Sequence, residues 1–138
     1  PPGRGEGTGN RGLILGRDAE RSHMARIVIV DYGMANLRSV QKAFEAAGHG
    51  AEVTGDPDRV REAAKVVLPG VGAFCDAIAR MRETHLDAVI TDHINAGKPF
   101  LGICLGLQML FTRGHEDGLH AGLDLFPGEV VRFPAQPG

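Results

Sequence analysis

The chain has 138 residues, enough for one globular domain but too few for two of ordinary size. Its hydrophobic fraction of 43%, charged fraction of 23% and net charge of −2 are ordinary for a globular protein and give no sign of nucleic-acid binding. No apolar run approaches the length of a membrane span. The two cysteines, Cys75 and Cys104, exclude a disulfide framework and favour a reducing cytoplasm, where a cysteine is either structural or reactive.

The first 23 residues differ in composition from the rest of the chain. They are rich in Gly and Arg, and their apolar patch, Leu13 to Leu15, is too short for a signal-peptide core. We therefore predict a flexible leader over residues 1–23, non-native or disordered, followed by one domain over residues 24–138.

From residue 24 onward, predicted strands alternate with predicted helices. Continuous apolar runs predict strands over residues 26–30, 51–53, 65–68, 100–103 and 129–133. Helical periodicity and capping residues predict helices over residues 37–47, 56–64, 74–81, 86–94 and 105–111, and residues 114–123 read as a polar loop. This alternation predicts an α/β fold: a doubly wound, mostly parallel sheet with helices on both faces, of the flavodoxin-like type.

The junction between the fourth strand and the next helix contains Cys104 within Gly-Ile-Cys-Leu-Gly. A strand that runs into a helix around Gly-x-Cys-x-Gly is the cysteine form of the nucleophile elbow. Gly102 and Gly106 remove the side chains that would collide in such a tight turn. A helix that begins after Cys104 would favour its thiolate, the nucleophilic form. The alternative is a buried structural cysteine.

A second glycine-rich loop, Pro69-Gly70-Val71-Gly72, follows the preceding strand. The carboxyl ends of parallel strands share one edge of the sheet, so this loop is expected beside Cys104. A thiolate that attacks a carbonyl creates an oxyanion, which needs preorganised N–H donors. The N–H of Leu105 would be one donor, and an N–H of the glycine-rich loop the other.

Four segments of the chain carry a resemblance to a known family. They are residues 31–40, 68–74, 102–108 and 127–133. With them, the chain from Met24 onward resembles the glutaminase subunits of imidazole glycerol phosphate synthase, which are class I glutamine amidotransferases. The resemblance implies that Cys104 attacks the glutamine carboxamide, that ammonia leaves, and that water releases glutamate from the thioester.

The resemblance also implies roles for other residues and for a partner. The backbone groups that would hold the oxyanion are those of Val71, Gly72 and Leu105. The residues that would seat glutamine are Gly70 and Gln108, and Asn36 would lie near the oxyanion loop and the partner interface. Ammonia would pass to a (β/α)-barrel cyclase subunit in a heterodimer of histidine biosynthesis. No cofactor, metal, nucleic acid or membrane partner is implied.

Two departures from the family pattern affect these expectations. Ala35 stands where the family usually has Gly, and its methyl group would restrict the loop. The family's general base is a His, supported by a Glu, on a segment well past the nucleophile, and this chain ends before it. We expect a C-terminally incomplete domain that has little or no glutaminase activity alone. The His115–His120 region reads as solvated rather than metal-binding.

Two other functions remain open at this point. One is a non-catalytic module that docks on a barrel partner, and the other is a different cysteine hydrolase of the same fold.

Overall fold

The computed structural model describes residues 26–34 and 36–137. The predicted leader and Ala35 lie outside these residues. The strands are β1 Ile27–Val30, β2 Ala51–Thr54, β3 Lys65–Gly70, β4 Phe100–Cys104, β5 Phe111–His115, β6 Leu119–Ala121 and β7 Phe126–Val130. The helices are α1 Leu37–Ala46, α2 Pro57–Arg61, α3 Phe74–Glu83, α4 Leu86–Asn95 and α5 Leu105–Gln108. None of the helices in these ranges is long and apolar enough to cross a membrane.

The main sheet has four parallel strands in the order β2-β1-β3-β4. β2 lies on one side of β1, whereas β3 and then β4 lie on its other side. This reversal between β1 and β3 is the topological switch point at which doubly wound sheets bind ligands, beyond the carboxyl ends of the strands. The predicted α/β fold with a parallel, doubly wound sheet is confirmed.

Two apolar layers explain why the strand sequences are continuously hydrophobic. Val28, Val30 and Leu68 face a core that α2, α3 and α4 cover. Ile27, Ile29 and Val67 face the opposite side, where apolar residues of α1 pack on them. Since both faces of β1 are covered, each residue of that strand is buried, as expected for a parallel sheet.

Strand β4 differs from the fully buried strand that its sequence predicts. Leu101 is 49% exposed and Ile103 is 36% exposed. β4 is an edge strand, and α1 leaves an apolar groove between itself and these two side chains, bounded by residues such as Val40 and Phe44. An apolar run therefore marks β4 as a strand but not as one covered on both faces.

The predicted polar loop over residues 114–123 is wrong. β5 and β6 form an antiparallel hairpin in which His115 pairs with Leu119, and β7 joins β5 in parallel to complete a second sheet. Asp117 (φ 49°) and Gly118 (φ 111°) supply the positive dihedral angles of the turn. Asp-Gly is a strong hairpin signal that the polar composition of the segment obscured.

The helix after Cys104 is shorter than predicted, and the last strand lies earlier in the chain. α5 contains four residues, and Phe111 belongs to β5 rather than to the helix. The carbonyl of Leu110 accepts hydrogen bonds from the N–H groups of Leu125 and Phe126, so tertiary pairing ends the helix. The same pairing places β7 at Phe126–Val130 instead of residues 129–133.

The residues at the N-cap positions of α2 and α1 differ in whether their side chains make a capping hydrogen bond. The Asp56 side chain accepts a hydrogen bond from the N–H of Asp58, with Pro57 in the first turn. Asn36 lies at the N-cap position of α1, but its side chain makes no capping hydrogen bond.

The buried His93 on α4 predicts a pH-dependent stability. Its Nε2 atom lies 2.9 Å from the Pro99 carbonyl oxygen, and its Nδ1 atom has no partner within the described residues. Burial lowers the pKa of His93, so below about pH 6.5 the unfolded chain binds more protons than the folded chain. The free energy of unfolding should therefore fall as the pH drops from about 7 to about 5.

His93→Gln, which keeps an N–H donor but does not titrate, should reduce this pH dependence in urea unfolding curves. The exposed His49→Gln serves as the control and should retain it. An identical pH dependence in His93→Gln and in the unmodified chain would contradict the prediction.

Candidate functional site

Three segments meet at the carboxyl edge of the main sheet. Residues 31–34 follow β1, residues 71–73 follow β3, and Cys104 ends β4. Gly70 and Cys104 are register partners in the β3–β4 pair, which places their backbones one strand spacing apart, about 4.8 Å. The sequence predicted this juxtaposition of the cysteine and the glycine-rich loop, and the register of the sheet produces it.

Cys104 occupies a strained backbone position at the strand-to-helix turn. Its dihedral angles are φ 55° and ψ −119°, and it is both the last residue of β4 and the N-cap of α5. A non-glycine residue at positive φ is held there only when the surrounding structure demands it. The turn leaves Cys104 exposed, with its thiol not engaged in a disulfide, which excludes the alternative of a buried structural cysteine.

Glycines allow the end of β3 to pack directly against the start of α5. A Cβ atom at Gly106 would overlap the carbonyl oxygen of Leu68. A Cβ atom at Gly70 would lie 2.7 Å from the Gly106 nitrogen and 2.9 Å from the Leu105 Cβ. A Cβ atom at Gly102 would lie 2.8 Å from the Leu107 Cα. No side chain fits at these three positions, so the turn around Cys104 depends on glycine.

The backbone predicted to hold an oxyanion lies on both sides of Cys104. Leu105 starts α5, where the first N–H groups of a helix have no intrahelical partner, and its side chain is buried. Val71 is 54% exposed, and Gly72 adopts φ 92°. Amides at these positions could donate to an oxygen that forms next to the sulfur.

Gln108 and Asn36 lie farther from the cysteine along the site. Gln108 is one helical turn after Cys104 and lines a groove of about 370 Å³ together with Phe74, His115 and Arg132. Asn36 is exposed at the start of α1. Among the described residues, no side-chain hydrogen bond joins either of them to Cys104.

The structure limits the electrostatic contribution that the sequence suggested for the helix after Cys104. α5 has four residues, so its dipole can favour a Cys104 thiolate much less than a long helix would. In the described part of the chain, no histidine is hydrogen-bonded to Cys104: His115 contacts Glu129 and His120 contacts the carbonyl of Asp117. The same residues contain no group of three or more His, Cys, Asp or Glu side chains placed to hold a metal.

Tyr32 is a residue at the site that the sequence analysis did not single out. Its side chain is 3% exposed, and its hydroxyl donates a hydrogen bond to the Pro69 carbonyl, 2.9 Å away. Burial raises the pKa of Tyr32 to about 12, and the nearby Cys104 adds to the effect. The sequence feature that could have indicated Tyr32 is its position: it is the single tyrosine of the chain and lies two residues after a buried strand, at the carboxyl edge of the sheet.

Comparisons with known proteins agree with this combination of an α/β fold and a cysteine at a strand-to-helix turn. The chain belongs to the family of CobB/CobQ-like glutamine amidotransferase domains, whose model matches residues 26–134. Similar proteins include the subunit HisH of imidazole glycerol phosphate synthase from Syntrophotalea carbinolica, 57% identical over 108 residues, 78% of this chain and 52% of the relative. The corresponding subunit from Rhodopirellula baltica is 57% identical over 107 residues, also 78% of this chain and 52% of the relative.

The chain thus spans about half the length of the curated relatives that it matches. Among solved structures, a glutamine amidotransferase superposes with a TM-score of 0.65 at 16% identity, covering 77% of this chain and 56% of the other. This structural likeness confirms the class I glutamine amidotransferase-like fold, and the family model confirms the prediction that the chain is a glutamine amidotransferase domain.

The contact between Gly106 and Leu68 predicts an unequal response to two glycine substitutions. Gly106→Ala should lower the free energy of unfolding by about 2 kcal/mol or more, because the new methyl group would overlap backbone that cannot move aside. Gly50→Ala, where a Cβ atom meets nothing within 4 Å, should change it by less than about 0.5 kcal/mol. Urea unfolding compares the two variants, and equal losses would disprove the close packing of β3 on α5.

Proposed function

We propose that this chain forms part of the glutaminase subunit of an imidazole glycerol phosphate synthase. That subunit would hydrolyse glutamine to glutamate and ammonia through a cysteinyl thioester and pass the ammonia to a cyclase subunit in histidine biosynthesis. The names and the 57% identity of the two relatives support this assignment. The unpaired Cys75 and Cys104 fit a cytoplasmic enzyme, because thiols persist in reducing compartments.

One observation carries the proposal: an exposed cysteine at φ 55° stands at the end of β4, directly across the strand register from Gly70. A strained nucleophile elbow beside a glycine-built backbone is the arrangement that acyl transfer requires. The Cys104 thiolate would attack the carboxamide carbon of glutamine, and the oxyanion would receive N–H bonds from Leu105 and from Val71 or Gly72.

The remaining steps follow from the balance of bonds. Collapse of the tetrahedral intermediate breaks the C–N bond, and ammonia leaves after a proton reaches the nitrogen. Water then attacks the acyl carbon of the glutamyl thioester, the C–S bond breaks, and glutamate leaves with the Cys104 thiol restored. We propose that the His general base and its Glu partner lie outside residues 26–137, since no histidine there is hydrogen-bonded to Cys104.

Two side chains and one backbone position would hold the substrate and the partner. Gly70 is the register partner of Cys104, so its backbone would lie beside the glutamine carboxamide that the sulfur attacks. Gln108 lines the groove next to the elbow helix, where an amide can bind the amino-acid end of glutamine. Asn36 lies exposed on the same edge of the sheet, where the cyclase subunit would dock.

The two alternative functions are less well supported. A docking module without chemistry would have no need to hold Cys104 at positive φ, which costs about 1–3 kcal/mol. A different cysteine hydrolase of the same fold is disfavoured because the relatives are subunits of imidazole glycerol phosphate synthase.

Labelling with diazo-oxo-norleucine, a diazoketone analogue of glutamine, tests the role of Cys104. The sulfur displaces nitrogen gas to form a thioether, so one adduct should appear on Cys104, and glutamine should slow its formation. Cys75→Ala, the matched control on α3, should label like the unmodified chain, whereas Cys104→Ala should not label. Labelling of Cys75, or no protection by glutamine, would contradict the proposed function.

Although Cys104 should be labelled, the chain should not turn over glutamine. We predict that residues 1–138 alone release ammonia from glutamine at a negligible rate, because a nucleophile without its general base cannot complete the proton transfers. A coupled glutamate dehydrogenase assay measures the release. Sustained turnover by this chain, lost in Cys104→Ala, would show that the base lies within it.

A further inference from the structure

Tyr32 lies beneath the point where the oxyanion loop begins. Its side chain belongs to the apolar core that also contains Leu68, Phe74 and Leu105. The hydroxyl is the polar end of this side chain, and it donates to the carbonyl oxygen of Pro69 at 2.9 Å. Pro69 precedes Gly70, the register partner of Cys104. One hydrogen bond thus connects the loop after β1 to the end of β3, next to the oxyanion loop of residues 70–72.

The space around this hydroxyl is filled. A Cβ atom at Gly70 would lie 2.7 Å from the Tyr32 oxygen, 2.7 Å from the Gly106 nitrogen and 2.9 Å from the Leu105 Cβ. The tyrosine hydroxyl, the Gly70 backbone and the start of α5 therefore meet without room for a further atom. Such close packing restricts how far the Gly70 backbone can move.

The hydrogen bond also sets the direction of the backbone. A peptide group is planar, so fixing the Pro69 carbonyl fixes the plane that contains the Gly70 N–H. Burial raises the pKa of Tyr32 to about 12, which keeps the hydroxyl protonated and able to donate at neutral pH. The Tyr32 hydroxyl therefore stays protonated, and remains a hydrogen-bond donor, over the pH range in which a glutaminase would work.

We propose that Tyr32 is a positioning residue for the oxyanion loop: its hydroxyl, through the Pro69 carbonyl, holds the Gly70–Gly72 backbone beside Cys104. The effect on backbone order stands on the structure alone. The effect on reaction rate rests on the proposed glutaminase function, so the test has one readout for each.

Amide hydrogen exchange of the full chain tests the effect on order. Tyr32→Phe removes the hydroxyl and keeps the buried ring, so amides of Gly70, Val71 and Gly72 should exchange about fivefold faster or more. Amides of β1 and β2 should keep their rates. Thr91→Val is the matched control: it removes a hydroxyl that donates to the Asp87 carbonyl on α4, and it should leave the 70–72 amides unchanged. Unchanged exchange at 70–72, or equally faster exchange throughout the chain, would overturn the proposal.

Labelling kinetics test the effect on rate. With diazo-oxo-norleucine, Tyr32→Phe should lower the maximal rate of Cys104 modification about fivefold and change the half-saturating concentration less than about twofold. Iodoacetamide, which needs no oxyanion site, should react at an unchanged rate. Equal labelling of Tyr32→Phe and the unmodified chain would overturn the link to catalysis. A chain that diazo-oxo-norleucine does not label would contradict the proposed function instead, and amide exchange would still decide the positioning role.

Discussion

The site depends on the close contact between the end of β3 and the turn from β4 into α5. Gly70 pairs with Cys104, and neither Gly70 nor Gly106 has room for a side chain. At this contact Cys104 adopts positive φ, and the strand register places the Gly70 backbone next to the backbone of Cys104. A methyl group at either glycine would separate the two segments, so Cys104, the expected nucleophile, and its expected N–H donors are coupled through packing.

The rest of the main sheet holds the strands that make this contact in place. Buried side chains on both faces of β1 and β3 fix the central strands, and the reversal of strand order leaves a crevice at their carboxyl ends. Tyr32 extends the core into that crevice and bonds the Pro69 carbonyl. The short α5 adds little dipole, so geometry and hydrogen-bond donors, more than helix electrostatics, would favour reaction at Cys104.

Sequence patterns predicted the main sheet and the cysteine elbow because each rests on local signals. Runs of β-branched residues mark β1 and β3, and Gly-x-Cys-x-Gly marks the turn at Cys104. The β5–β6 hairpin was missed because its Asp-Gly turn lies in a polar segment. β7 was misplaced because its pairing is non-local: the N–H groups of Leu125 and Phe126 bond to Leu110 and end the helix early. The exposure of Leu101 could not be predicted either, because it depends on how far α1 extends across the sheet. The Tyr32–Pro69 hydrogen bond was missed because it joins residues 37 positions apart in the chain.

A crystal structure of the diazo-oxo-norleucine adduct would show whether Cys104 and the 70–72 backbone act on the same substrate carbonyl. We expect a thioether on Cys104, with the ketone oxygen of the adduct about 3 Å from the Leu105 nitrogen and from the nitrogen of Val71 or Gly72. An adduct on Cys104 whose ketone oxygen points into solvent, away from the 70–72 backbone, would contradict this expectation.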